Sequence, residues 1–340
     1  MIDYDAYVQT TPSVADREHW RRQLLALLAG ERAELLYLLL GLDEETLTTR
    51  PVFDDQTVKD LLAHVAAWDE LHRERMALIL ADRKGEIASV DLDEHNAGVH
   101  ARRRDWTLSR ALDAFTEARQ SFLETFSRVP DEQLHRPVAI PWSDALPMRT
   151  WAIWRARHDA VHAADVRRWR NDNEIEDGVG PRAILVAALE ASRDEAHALS
   201  ALVAEEERDS RAVADGWTLR DVVGHLADWE LFLLECLEAG RMLDMGHGGD
   251  VDEWNAAHAA ARREQSWAQT WEDYGRARQE TIDAVQEMDQ ERLSTLLNNS
   301  WGRDTSTYRV VVWWLEHERE HAAGLRGALL DRDGTVEFRG

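Results

Sequence analysis

Apolar residues recur at three- and four-residue spacing along almost the whole chain, the period of helices that bury one face. No stretch shows the sustained alternation with β-branched enrichment that marks a strand. In the first half, Leu24, Leu25, Leu27, Leu28, Leu35, Leu36, Leu38 and Leu39 form a wide stripe, predicting a helix from about Val14 to Leu42. A second helix opens at Thr57, where Thr-x-x-Asp60 reads as a capping box with aspartate in place of glutamate, and runs to about Asp82. A third runs from near Leu92 to Val129, with a break around Asp105-Trp106-Thr107. Pro130, Pro137, Pro141 and Pro147 mark a long connection, and the fourth helix starts at Pro147, a residue suited to a first helical turn, and continues to Arg170. The polar, glycine-bearing segment Asn171–Pro181 reads as a linker. The second half repeats the order, with helices near 182–207, 218–243, 251–288 and 306–330.

The repetition extends to identity. Thr57-Val-Lys-Asp-Leu-Leu-Ala-His64-Val-Ala-Ala-Trp68 returns as Thr218-Leu-Arg-Asp-Val-Val-Gly-His225-Leu-Ala-Asp-Trp229 at an offset of 161. Asn96 and Asn255, Phe115 and Tyr274, Trp142 and Trp301, and Trp154 and Trp313 correspond at an offset of 159. A fixed period with matched anchors is an internal duplication, and it is too long for a solenoid unit. The expected architecture is all-α: two tandem four-helix bundles, spanning 1–172 and 173–340, each burying its own core. The length of 340 residues suits two such domains.

Composition narrows the chemistry. A net charge of −25 repels phosphate backbones, and Arg102-Arg103-Arg104 is too short to offset it, so nucleic acid is not an expected partner. No apolar run approaches the roughly 20 residues of a membrane span. The acidic start Met1-Ile-Asp-Tyr-Asp-Ala lacks a basic segment followed by an apolar one, which makes the cytoplasm the expected location. Cys236 is the only cysteine, so no internal disulfide framework or multi-cysteine metal site exists, and a buried helical position is expected for it.

Histidine carries the candidate chemistry. His158 and His162, four residues apart, lie one turn apart on one helix face and can both direct a ring nitrogen at one metal ion, with His64 on another helix as the third ligand. The second copy repeats the set as His225, His317 and His321. A lone His-x-x-x-His is near chance in a chain with 14 histidines. Two pairs at matching repeat positions, each with the same upstream histidine, are more specific, although common ancestry and core hydrogen bonding offer a bland alternative. Three imidazoles leave an open coordination position for a divalent ion, zinc first, with nickel or iron as alternatives, one per half. His317-Glu318-Arg319-Glu320-His321 matches the zincin pattern, but the first copy has Asp159 after its histidine and the chain offers no sheet, which argues against a metalloprotease. His72, His100, His135, His197, His247 and His258 have no histidine counterpart and are excluded from the sites.

These residues together, the Ala/Gly-His-x-x-x-Trp of the second helix, the Asp-Glu-x-Asn at the start of the third and the Trp…His-x-x-x-His of the fourth, resemble the DinB/YfiT-like superfamily of metal-binding four-helix bundles. The resemblance covers nearly all of both halves. It implies that His64, His158, His162, His225, His317 and His321 are metal ligands. It also implies kinship with transferases and isomerases that use a low-molecular-weight thiol such as mycothiol or bacillithiol, and with ClbS-like self-protection proteins that act on strained electrophiles. Pairing of such domains as dimers implies an intramolecular pseudo-dimer of the two halves.

Around the sites, Asn96 and Asn255 are read either as polar groups aimed at a ligand or as caps of the third helix. Trp142 and Trp301 wall a pocket or pack under a loop, and Trp68 and Trp229 share the face of the upstream histidine and belong to its dry shell. Arg102, Arg103, Arg262 and Arg263 suit either carboxylate recognition or a solvated face. The functional expectation is a metal-dependent thiol transferase or hydrolase acting on a small electrophilic molecule. Two alternatives stand beside it: non-catalytic capture or sequestration of a small ligand, and a structural metal in a pseudo-dimer.

Overall fold

The computed structural model describes residues 2–10, 12–214, 216–246, 249–297 and 305–330. The chain divides into two compact units, with the break between Glu176 and Asp177. The first contains helices α1 (Arg17–Tyr37), α2 (Val58–Leu80), α3 (Leu92–Arg103), α4 (Leu108–Ser127) and α5 (Arg149–Asp172). The second repeats them as α6 (Arg182–Ser200), α7 (Leu219–Ala239), α8 (Val251–Arg262), α9 (Trp267–Glu287) and α10 (Thr307–Leu330). Shorter helices join them. Each unit is a four-helix bundle, α1, α2, α4 and α5 or α6, α7, α9 and α10, with α3 or α8 laid against the helix that carries the upstream histidine. No described helix is long and apolar enough to cross a membrane.

The starts of α2 and α7 are fixed identically. Thr57 Oγ1 accepts from the Asp60 amide while Asp60 Oδ2 accepts from the Thr57 amide at 3.0 Å, and Thr218 and Asp221 reproduce both bonds. Aspartate is long enough to close the box, which stabilises each helix by about 1 kcal/mol and sets the rotation at which a histidine seven residues on leaves the helix. The expected break in the third helix is present: Thr107 Oγ1 caps α4 through the Arg110 amide. The second copy breaks too, where an unbroken helix over 251–288 was expected, because Ser266 and Gln269 form their own capping box.

Two expectations are corrected. Short antiparallel hairpins do exist, pairing Pro51–Phe53 with Gln56–Thr57, Pro137–Ile140 with Ser143–Pro147, Ala212–Ala214 with Trp217–Thr218, and Leu296–Leu297 with Thr305–Ser306. Strands of two to five residues are too short to show alternation. Pro147 pairs with Pro137 at the end of one of them, so α5 begins two residues later at Arg149, with Met148 at its N-cap.

The first core is built from Leu24, Leu27 and Leu28 of α1, Leu61, Leu62 and Val65 of α2, Phe115, Phe122 and Phe126 of α4, and Trp151, Ile153 and Val166 of α5. At its centre one charged residue from each bundle helix meets the others. Arg32 of α1 donates to Asp69 of α2 and to Asp159 of α5, both at 2.9 Å, and Arg119 of α4 donates to Asp69 at 3.0 Å and to Asp159 at 2.9 Å. Both carboxylates are fully buried. A closed ring of two cations and two anions satisfies its members' charges while locking four helices in register. Each aspartate follows a residue of the histidine site, Trp68 or His158, so the ring also fixes that site. The second unit builds its network at the matching positions, with Arg278, Glu230 and Glu318 in the places of Arg119, Asp69 and Asp159: Arg278 of α9 pairs with Glu230 of α7 and Glu318 of α10, and Tyr274, in the place of Phe115, donates to Glu318. Glu195 of α6 pairs with Arg319 and Arg326 of α10.

Candidate metal centre

The six histidines fall into two triads, His64 with His158 and His162, and His225 with His317 and His321. One member of each comes from the capped helix and two from successive turns of the last bundle helix. In the first triad His158 Nε2 lies 3.0 Å from His64 Nε2 and 3.2 Å from His162 Nε2. In the second the matching distances from His317 Nε2 are 3.0 Å to His225 and 3.1 Å to His321. Tetrahedral zinc with Zn–N bonds near 2.05 Å would hold two nitrogens about 3.3 Å apart. Two copies that differ in much of their sequence thus each hold two of the three nitrogen pairs at nearly that spacing, with all three ligand atoms within 4.8 Å of one another.

The electrostatics favour neutral rings, the form that ligates. Burial, reinforced by the neighbouring His162 and Arg155, lowers His64 to about 3, and burial with His317 and His321 lowers His225 to about 3. His317 falls to about 4 for the same first reason, and His158 falls well below the ordinary histidine value. Outer contacts differ between the copies. Asp165 Oδ2 lies 3.4 Å from His162 Nδ1 without a hydrogen bond between them. Arg155 donates to His158 Nδ1 at 3.2 Å, whereas a neutral His158 ligating through Nε2 would carry its proton on Nδ1 and give up that bond. Trp314 takes the place of Arg155 in the second copy.

The asparagines are placed by tryptophan. Trp68 Nε1 donates to Asn96 Oδ1 at 3.0 Å and Trp229 Nε1 to Asn255 Oδ1 at 3.1 Å. Neither asparagine caps its helix; Asp91 and Asp250 do that. Each asparagine, its side-chain oxygen held by indole, lines a crevice beside His64 or His225. Trp142 is partly exposed and covers the Arg75 guanidinium at 4.7 Å. Trp301 lies outside the described residues. The zincin reading fails on geometry, because Glu318 is buried and held by Arg278 and Tyr274, as Asp159 is held by Arg32 and Arg119. Arg103 pairs with Glu70 and Arg262 with Asp228 and Asp273, so these two arginines are engaged within the fold. Cys236 is buried on α7, as expected.

A cavity of about 500 Å³ adjoins the first triad, lined by His64 and His158 together with Trp68, His72, Arg75, Asn96, Trp142, Trp154 and Arg155. His72, excluded as a ligand, is a cavity wall: its Nδ1 donates to the Trp68 carbonyl at 2.9 Å and its ring stacks on Trp68. Sequence reading missed His72, Arg75 and Arg155 because it sought residues retained in both copies, and these three are replaced by Leu233, Cys236 and Trp314. The available signal was spacing: Arg155 precedes His158 by three residues and so shares its helix face.

A family described as the DinB superfamily matches residues 17–166 and 188–324. No curated protein and no solved structure matches the chain. With one matched segment inside each unit and a three-histidine cluster in both, the chain belongs to the DinB superfamily, as a tandem pair of its domains.

Proposed function

We propose that each triad holds a divalent metal ion, zinc first with nickel or iron as alternatives. We further propose that the chain is a metal-dependent transferase or hydrolase for a small electrophilic molecule. The observation that carries this reading is the convergence of three Nε2 atoms in both copies, with a cavity beside one of them. A bound ion would supply the acidity that turns a thiol or a water in its open position into a nucleophile near neutral pH. The protein's part is to keep His64, His158, His225 and His317 neutral by burial, to hold Asn96 through Trp68 beside the crevice, and to exclude water with Trp68, Trp142 and Trp154. The triads contain no carboxylate, so a loaded centre keeps its full positive charge and favours an anionic nucleophile.

Cobalt-substituted protein tests this. Addition of N-acetylcysteine should produce a sulfur-to-cobalt charge-transfer band, and the zinc form should accelerate attack of that thiol, or of water, on an activated aryl halide or epoxide. His158→Ala should abolish both at the first centre. A bound cobalt ion whose spectrum ignores the thiol, in a protein that accelerates neither reaction, would overturn the proposal.

A further inference from the structure

Among the described residues six arginines are buried; Arg32, Arg119 and Arg278 pair with carboxylates, and Arg149 donates to the carbonyls of His135 and Thr10. Arg75 and Arg155 are different. They are 6% and 4% exposed, yet among the described residues neither lies within 4.0 Å of a carboxylate oxygen, and the Nε of each has no hydrogen-bond partner. Both line the cavity beside the first triad. Burial outweighs the longer-range attraction of Asp69 and Asp159 for Arg155 and of Glu74 for Arg75, and a buried guanidinium that makes no direct ion pair is costly unless an anion completes the site. The rest of the lining is flat and largely apolar. Trp68 lies 5.5 Å from Arg155 and Trp142 4.7 Å from Arg75, while Trp154 and His72 meet at 6.1 Å. Indole walls favour a planar body and guanidinium forks favour a carboxylate head. A volume of about 500 Å³ suits a small molecule.

The duplication supplies the contrast. In the second unit Cys236 stands for Arg75, Trp314 for Arg155, Leu233 for His72 and Trp254 for His95. Trp254 and Trp314 fill space, and Cys236 and Trp314 remove the two guanidinium charges. Trp254 packs on Trp229 at 4.4 Å, Phe232 lies 6.1 Å from Trp254 and 6.4 Å from Trp314, and Trp314 Nε1 donates to the Trp229 carbonyl at 2.6 Å.

We propose that the cavity of the first unit binds one small organic carboxylate with a flat apolar body, held between Arg75 and Arg155 beside His64 and His158, and that the second unit, with the same triad, binds none. As a binding site this stands on the cavity alone; as a substrate class it rests on the metal-dependent function proposed above.

The test is calorimetric titration of the full-length protein, zinc-loaded and metal-free, with 2-naphthoate and with its uncharged counterpart 2-naphthamide. One equivalent of naphthoate per chain should bind, with naphthamide about tenfold weaker or worse, the loss expected when a charged hydrogen-bonded contact is removed. Arg75→Gln should weaken naphthoate to the level of the amide. Arg155→Gln should do the same, and because that residue is buried beside the ion-paired ring, Trp142→Ala at the exposed rim serves as the variant that spares the fold, expected to weaken both probes several-fold. Binding by the metal-free protein separates the cavity from the metal centre: its retention with failed thiol chemistry would leave the site standing and sink the proposed catalysis. No saturable binding, equal affinity for acid and amide, two equivalents per chain, or indifference of folded Arg75→Gln and Trp142→Ala proteins would each overturn the proposal.

Discussion

Replacing Asp69 by asparagine removes one charge from the ring of Arg32, Asp69, Arg119 and Asp159 without changing its shape. Asp69 is fully buried and accepts from Arg32 at 2.9 Å and from Arg119 at 3.0 and 3.3 Å. Burial pulls its pKa up, but Arg119 and Arg32 outweigh burial and hold it below the ordinary aspartate value. The variant leaves two buried guanidiniums facing one carboxylate, a situation that costs about 3–5 kcal/mol. For a unit of this size each kcal/mol lowers Tm by about 2–4 °C, so a drop of about 6–20 °C is expected. Differential scanning calorimetry of the intact chain should show this loss in one transition and leave the other in place, because the second unit has its own network. The lowered folded pKa also sets the pH dependence. The contribution of Asp69 is complete above the unfolded aspartate value near 4 and disappears as the pH falls through the lower folded value. The gap between wild type and Asp69→Asn should therefore narrow below pH of about 4. A loss under about 1 kcal/mol at pH 7 would mean that the ring does not hold the helices, and the account of how the first triad is positioned would fall with it.

Other consequences follow from the same geometry. Glu318→Gln should destabilise the second unit while leaving metal content unchanged, measured by calorimetry and elemental analysis; loss of the ion with an intact fold would restore Glu318 to the metal site. Thr57→Ala and Thr218→Ala should each cost about 1 kcal/mol by loss of the helix cap, read from thermal unfolding, and no change in either would remove the capping box from the account. Chelation should lower the stability of both units, and adding back zinc to about 100 times its Kd should restore about 2.7 kcal/mol in each, seen as a concentration-dependent Tm.

The amphipathic period made the bundle legible in the sequence, because helices of 19 to 24 residues repeat their apolar stripe several times. The cap at Thr57 was legible for the same reason that it works, acting on a neighbour three residues away, whereas around Thr107 only the break was legible and not the cap. The hairpins were invisible, being too short to show a period. For the site, duplication exposed what both units share, the histidines and the Trp68–Asn96 and Trp229–Asn255 pairs, although not that indole and amide bond to each other. It concealed what only one unit has. Arg75 and Arg155 emerged from burial without a direct ion pair, a property set by the packing of the fold. The charged network is common to both units, Asp69, Arg119 and Asp159 matching Glu230, Arg278 and Glu318, yet it stayed hidden because each member reads as an ordinary charge on its own helix.

The central claim, that both histidine triads are metal sites, is tested most directly by counting ions per chain. Native mass spectrometry, checked by elemental analysis after purification without a histidine tag, should find two divalent ions per wild-type chain, one in His162→Ala, one in His321→Ala and none in the double variant. Well under one ion per wild-type chain after exposure to zinc, nickel and iron, or single variants that keep both ions, would contradict it.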